Sequence, residues 1–130
     1  MRASDPPSSC LRGRVLAVDD DADILWLLQQ LLEAEGHLVA VAATGEAALS
    51  ILSAERFDVV VLDVTLPGIS GLEVGKAVRM LSASAPPKIA LHTALDEEWV
   101  RQHFAGYDRF LQKPCSTDVI ARDVAELLQP

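Results

Sequence analysis

Four remote stretches of the chain carry residues suited to metal or phosphate chemistry: the run Asp19, Asp20 and Asp21, then Asp63, Thr93 and Lys113. Two or three carboxylates packed together repel, and a divalent cation removes that repulsion. Oxygen-only ligands suit Mg²⁺ or Mn²⁺, which keep several waters and favour shared phosphate ligands. A carboxylate is also a nucleophile toward phosphoryl groups and gives an acyl phosphate. The transferred group spreads negative charge over its equatorial oxygens and needs cations and donors around it. A bound cation, the Lys113 ammonium and the Thr93 hydroxyl would supply them. The set is complete for phosphorylating an aspartate.

Taken singly, each residue has an ordinary reading. The acidic run suits a helix N-terminus, and Asp63 before Pro67-Gly68 suits a turn. Thr93 suits a loop hydroxyl, and Lys113 suits a surface lysine before proline. What sets the conjunction apart is that an independent pattern, the apolar runs, places all four at strand ends.

That pattern alternates short aliphatic runs with segments of helical period. Arg14–Val18 (RVLAV) reads as a buried parallel strand that stops at the acidic run. Asp21–Glu35 carries Ile24, Leu25, Leu28, Leu31 and Leu32 on one stripe and is closed by Gly36. His37–Val41 reads as a strand, and Thr44 as the cap of a helix over Glu46–Ala54. Val59–Leu62 (VVVL) is the most apolar run and belongs at the centre of a sheet covered on both faces. A loop at Pro67-Gly68 leads to a helix over Gly71–Leu81. After Pro86-Pro87, Lys88–Leu91 is a fourth strand, and Asp96–Phe104 a short helix closed by Gly106. Arg109–Leu111 is a short edge strand, and Ser116 caps a final helix over Asp118–Leu128. Five β units alternating with five α units imply right-handed crossovers and a doubly wound α/β fold around a parallel sheet. In such folds the site lies at the carboxyl ends of the strands.

Composition narrows the function classes. The 130 residues make one domain, and 50% of them are hydrophobic, enough to bury a core. Eleven basic against nineteen acidic residues give a net charge of -8, which argues against nucleic acid or an anionic membrane as partner. No apolar run approaches the ~20 residues of a membrane span. Cys10 and Cys115 make no disulfide framework. Residues 1–12 are polar and lack the apolar core of a secretory signal. The expectation is a soluble cytoplasmic domain over residues 13–130 behind a flexible leader over 1–12. His37 and His103 have no companion at zinc-ligand spacing, and His92 reads as a strand-end residue. Trp26 and Trp99 are expected to pack partly buried, and Cys115 to pack as a small hydrophobe.

The stretches RVLAVDDDADIL, FDVVVLDVTLPGISGLEV, IALHTA and RFLQKP resemble the receiver domain of two-component response regulators, from about Arg14 to Leu128. The resemblance implies a flavodoxin-like (βα)5 fold with strand order 2-1-3-4-5. It implies Asp63 as phosphoacceptor, Asp19 and Asp20 as the acidic pair that holds Mg²⁺, and the Thr65 backbone carbonyl as a further ligand beside Asp63. Thr93 matches the switch hydroxyl and Phe110 the switch aromatic. Lys113 matches the family's lysine, Pro114 follows it through a cis bond, and Ala94 is the small residue that leaves room for phosphodonor and water. Three features depart from the common pattern. Thr65 stands where many receivers have methionine, and Phe110 lacks a tyrosine's hydroxyl. The Thr93–Gly106 stretch is about two residues short, so a short or irregular fourth helix is expected.

The implied partners are a sensor histidine kinase or histidine phosphotransfer protein, and a downstream protein target. The domain would catalyse its own modification without turning over a free substrate, so it is not read as an enzyme. An aspartyl phosphatase would need a second acid where Thr65 stands. A flavin or nucleotide binder would want a glycine- or hydroxyl-rich loop where the acidic run repels phosphate. The alternative that survives is a phosphorylation-independent interaction module. With Pro130 directly after the last helix, the chain reads as a stand-alone receiver or a piece of a larger kinase or regulator; Met1 and the irregular leader favour the first.

Overall fold

A computed structural model describes residues 13–81 and 85–129; the leader expected over residues 1–12 lies outside them. The elements run β1 (Arg14–Val18), α1 (Ala22–Ala34), β2 (Leu38–Ala42), α2 (Gly45–Ala54), β3 (Val59–Leu62), α3 (Gly71–Arg79), β4 (Lys88–Thr93), α4 (Glu97–His103), β5 (Arg109–Gln112) and α5 (Thr117–Leu127). The five strands form one parallel sheet in the order β2-β1-β3-β4-β5. The expected α/β fold and strand order are both found.

β3 is buried along its whole length, because alternate side chains serve two cores. Val60 and Leu62 join Leu16, Val18, Ile89 and Leu91 on one face of the sheet. Val59 and Val61 join Val15, Ala17, Leu28 and Leu32 on the other. Each such burial contributes about 1.5–3 kcal/mol relative to exposure, so the central strands fix the frame in which their ends meet. On α1, Leu25, Leu28 and Leu32 are the buried stripe. Trp26 falls off that stripe and is 62% exposed, while Trp99 on α4 is 46% exposed. The expectation that the two tryptophans are partly buried is therefore corrected.

Boundaries differ by one or two residues where local bonding decides them. His37 is not in β2, because its backbone N–H donates to the Leu32 carbonyl and still closes the turn after α1; Gly36 there has φ 95°. β4 runs on to Thr93, whose carbonyl accepts from the Lys113 N–H and continues the ladder with β5. α3 ends at Arg79 rather than Leu81. α4 has seven residues and ends with an extended Phe104, two residues before Gly106. Among the described residues no helix is long and apolar enough to cross a membrane.

The far end of the sheet holds a buried imidazole. His37 Nδ1 accepts from the Gly13 N–H at 3.3 Å, and its Nε2 is buried with no partner among the described residues. Burial, only partly opposed by Glu35, pushes the His37 pKa below its ordinary 6.5. The unfolded chain therefore binds the proton more readily than the folded one. Stability from neutral His37 is intact above about pH 6.5 and falls as acid takes the pH down toward the folded value. Urea midpoints at pH 7.5 and 5.5 should show a smaller acid loss for His37→Phe than for the wild type.

Candidate functional site

The three aspartates that end β1 have three different environments. Asp21 is the N-cap of α1, its carboxylate accepting from the Asp23 and Ile24 N–H groups. Asp19 is 1% exposed, and its Oδ1 accepts from the Asp21 N–H at 2.9 Å. Asp20 points to the surface. The helix cap thus takes the third acid and leaves the first two for the strand edge.

Asp63 directly follows β3 and is 6% exposed. Its Oδ1 accepts from the Thr65 N–H at 3.1 Å, which fixes the carboxylate against its own loop. Lys113 directly follows β5. Its Nζ donates to Asp19 Oδ2 at 2.7 Å and to Asp63 Oδ2 at 3.0 Å. Burial disfavours the ammonium, but those two bonds and the charges of Asp19 and Asp63 together outweigh it and hold the Lys113 pKa above its ordinary 10.5. Thr93 is fully buried at the end of β4, and its hydroxyl accepts from the Leu95 N–H at 3.2 Å. Gln112 Nε2 donates to the Ala94 carbonyl at 2.9 Å and ties the end of β5 to the loop after β4. The Lys113–Pro114 bond is cis.

Asp19, Asp20 and Asp63 each offer a carboxylate oxygen within 4.8 Å of the others. All donors are oxygen, one acid is solvent-facing, and the cluster lies at the rim of the sheet. Three negative charges against one ammonium leave two uncompensated, the charge of one divalent ion. The residues therefore fit Mg²⁺, a hard cation that keeps waters and takes one or two carboxylates. The Thr65 side chain is exposed, and its N–H faces Asp63. Phe110 lies on β5, half-buried against the core that faces α2 and α3.

His92 sits just before Thr93 with 6% exposure and a buried, unpartnered Nδ1. Burial and the Lys113 ammonium push its pKa below 6.5, against the pull of Asp19 and Asp63; it is a neutral neighbour of the site. His92, Ile24, Leu28, Ala94, Cys115 and Ile120 line a groove of about 380 Å³ that Lys113 borders.

Gly71 escaped notice in the sequence except as a helix start. A Cβ there would lie 1.9 Å from the Asp63 carbonyl oxygen and 2.7 Å from Val64 Cα. The first turn of α3 thus presses directly on the backbone that carries Asp63, and the Gly71 N–H donates to the Val64 carbonyl at 2.8 Å. Neither obstacle is a flexible side-chain end, so the backbone must move to admit a methyl. Gly71→Ala should lower stability by about 2–3 kcal/mol and shift the amide resonances of residues 63–65, as denaturation and NMR spectra would show.

Comparison with known proteins agrees with this geometry. The family model of the response regulator receiver domain matches residues 15–125. The alkaline phosphatase synthesis transcriptional regulatory protein PhoP of Bacillus subtilis is 38% identical over 121 residues, 92% of this chain and 50% of PhoP. Sensor histidine kinase AruS of Pseudomonas aeruginosa is 34% identical over 129 residues, 96% of this chain and 13% of AruS. The chain thus spans half the length of one relative and a small part of the other. Among solved structures, the Thermotoga maritima response regulator TrrA in complex with Mg²⁺-BeF superposes with a TM-score of 0.79 at 35% identity, covering 88% of this chain and 97% of TrrA. The chemotaxis response regulator CheY4 of Vibrio cholerae gives 0.82 at 31% identity, covering 89% and 98%. With the sheet order, the acidic cluster and the lysine bridge already in place, these matches establish that the chain belongs to the receiver domains of two-component response regulators.

Proposed function

We propose that Asp63 accepts a phosphoryl group from a phosphohistidine of a sensor histidine kinase or histidine phosphotransfer protein. The observation that carries this reading is the shared Lys113 ammonium, 3.0 Å from Asp63 Oδ2 and 2.7 Å from Asp19 Oδ2. It holds a nucleophilic carboxylate beside a fixed positive charge at an open sheet edge.

An Asp63 oxygen attacks phosphorus in line as the N–P bond of the donor breaks. The imidazole leaves with the bonding pair and the product is an aspartyl phosphate. Lys113 faces the charge that gathers on the phosphoryl oxygens. A preorganised donor of this kind contributes roughly 10²–10³ in rate. Asp19, Asp20, Asp63 and the Thr65 carbonyl would hold Mg²⁺ or Mn²⁺, which supplies further neutralisation of the phosphoryl charge. Thr93 gives up its bond from the Leu95 N–H and turns its hydroxyl to a phosphoryl oxygen. Ala94, exposed at the rim, leaves room for the donor and later for hydrolytic water. The Phe110 ring follows Thr93, and the change reaches α4, β5 and α5 as a shift between two states.

The groove between α1 and α5 at Lys113, with exposed Trp26 and Leu27 on α1, suits the phosphodonor protein. Output through a downstream protein suits the acidic surface, as does the absence of nucleic acid and membrane partners. In this reading the domain is a cytoplasmic signalling module over residues 13–130 and not an enzyme with a free substrate. The relatives AruS and PhoP, a sensor histidine kinase and a transcriptional regulatory protein by name, support a two-component setting.

Acetyl phosphate with Mg²⁺ should add one phosphoryl mass to the wild type and none to Asp63→Asn, read by intact mass spectrometry. Lys113→Ala should gain it about a hundredfold more slowly. An unmodified wild type would favour the phosphorylation-independent module instead.

A further inference from the structure

α4 is the least anchored helix of the fold. It has seven residues, of which Val100 alone is buried, so its position depends on whatever else holds it. One such tether is a side chain from the loop that precedes β5. The Tyr107 hydroxyl donates to Glu97 Oε2 at 2.8 Å and accepts from Arg101 Nε at 3.4 Å. Glu97 and Arg101 also pair with each other one turn apart on α4 at 3.4 Å. Tyr107 therefore grips both members of an ion pair at their shared edge.

The backbone around Tyr107 is fixed on both sides. The Arg79 guanidinium donates to the Gly106 carbonyl and to the Asp108 carboxylate. The Asp108 N–H donates to the Ile89 carbonyl, and the Ile89 N–H returns a bond to the Asp108 carboxylate, each at 2.8 Å. With the backbone held, the Tyr107 side chain is the part whose own contacts decide its position. Its ring lies in an aromatic row, 6.5 Å from Phe104 and 5.8 Å from Phe110, in tilted contacts. A change of Phe110 rotamer would take away one of the two rings against which the Tyr107 ring is seated.

We propose that the Tyr107 hydroxyl is the latch through which Phe110 controls α4: closed on Glu97 and Arg101 at rest, and pulled open when Phe110 moves. Phe110 itself has no hydroxyl with which to signal; the polar half of the switch lies three residues away on Tyr107. The latch rests on the reading of Asp63 as phosphoacceptor only for what triggers it. Its resting contacts stand without that reading.

The test is amide hydrogen exchange of the full chain with and without acetyl phosphate and Mg²⁺, for the wild type and Tyr107→Phe, with intact masses taken on the same samples. Tyr107→Phe keeps the aromatic row and loses only the hydroxyl; unchanged exchange in β1 and β3 confirms that it folds. At rest, exchange over residues 97–104 should be about tenfold faster in Tyr107→Phe than in the wild type. Phosphorylation should speed the wild type by a similar factor and leave Tyr107→Phe where it already is. Equal resting exchange in the two proteins overturns the latch. A phosphorylated Tyr107→Phe that responds as fully as the wild type, or a phosphorylated wild type whose α4 does not respond, overturns the coupling. If neither protein gains a phosphoryl mass, the phosphoacceptor reading and the coupling both fall, and the resting comparison still decides whether the latch exists.

Discussion

Two buried carboxylates on neighbouring strands share one ammonium, and the rest of the molecule is arranged around that fact. Asp19 and Asp63 leave water almost completely, and removing one partner of such a set leaves a charge in the interior at a cost of about 3–5 kcal/mol. Lys113 starts two strands from β3 and three from β1, roughly 10 and 14 Å at ordinary sheet spacing. Its long stem and the close approach of the strand-end loops together span that gap. A shorter cation could not.

The bridge is possible because every strand is parallel, so all the carboxyl ends meet on one edge. It also explains why that edge is not simply neutral. One lysine against three aspartates leaves an acidic rim that fits a divalent ion. The helices reinforce this from below. Asp21, Thr44, Ser70, Asp96 and Ser116 cap the five helices, and three of these caps stand two or three residues after Asp19, Thr93 and Lys113. The press of Gly71 on the Asp63 backbone does the same for the loop after β3. By contrast α4, which carries none of the site, is short and lightly held; movement is cheapest there.

Much of this was legible in the chain because parallel strands buried on both faces read as unbroken aliphatic runs, and the residue after each run is then a strand-end residue. RVLAV and VVVL are followed directly by Asp19 and Asp63, and Thr93 stands two residues beyond KIAL. The reach of Lys113 to both acids and the sharing of roles among the three aspartates were not legible, since both depend on side-chain geometry across distant strands. His37 looked like strand because β-pattern ignores the hydrogen bond that keeps it in a turn. Gly71 looked like any helix-starting glycine, because a close backbone approach leaves no trace in composition. Trp26 is expected to be partly buried because large aromatics usually are, and its place one step off the leucine stripe leaves it 62% exposed instead. Tyr107 carried no pattern at all, as its partners are two charged residues on a different element.

The central claim is that the carboxylate held by Lys113 is the one that becomes phosphorylated, and borohydride trapping addresses it at residue resolution. Borohydride reduces an aspartyl phosphate to homoserine, which peptide mapping locates. After treatment with acetyl phosphate and Mg²⁺, the account predicts homoserine at position 63 and aspartate retained at 19 and 20. Homoserine at 19 or 20, or at none of the three, would contradict it.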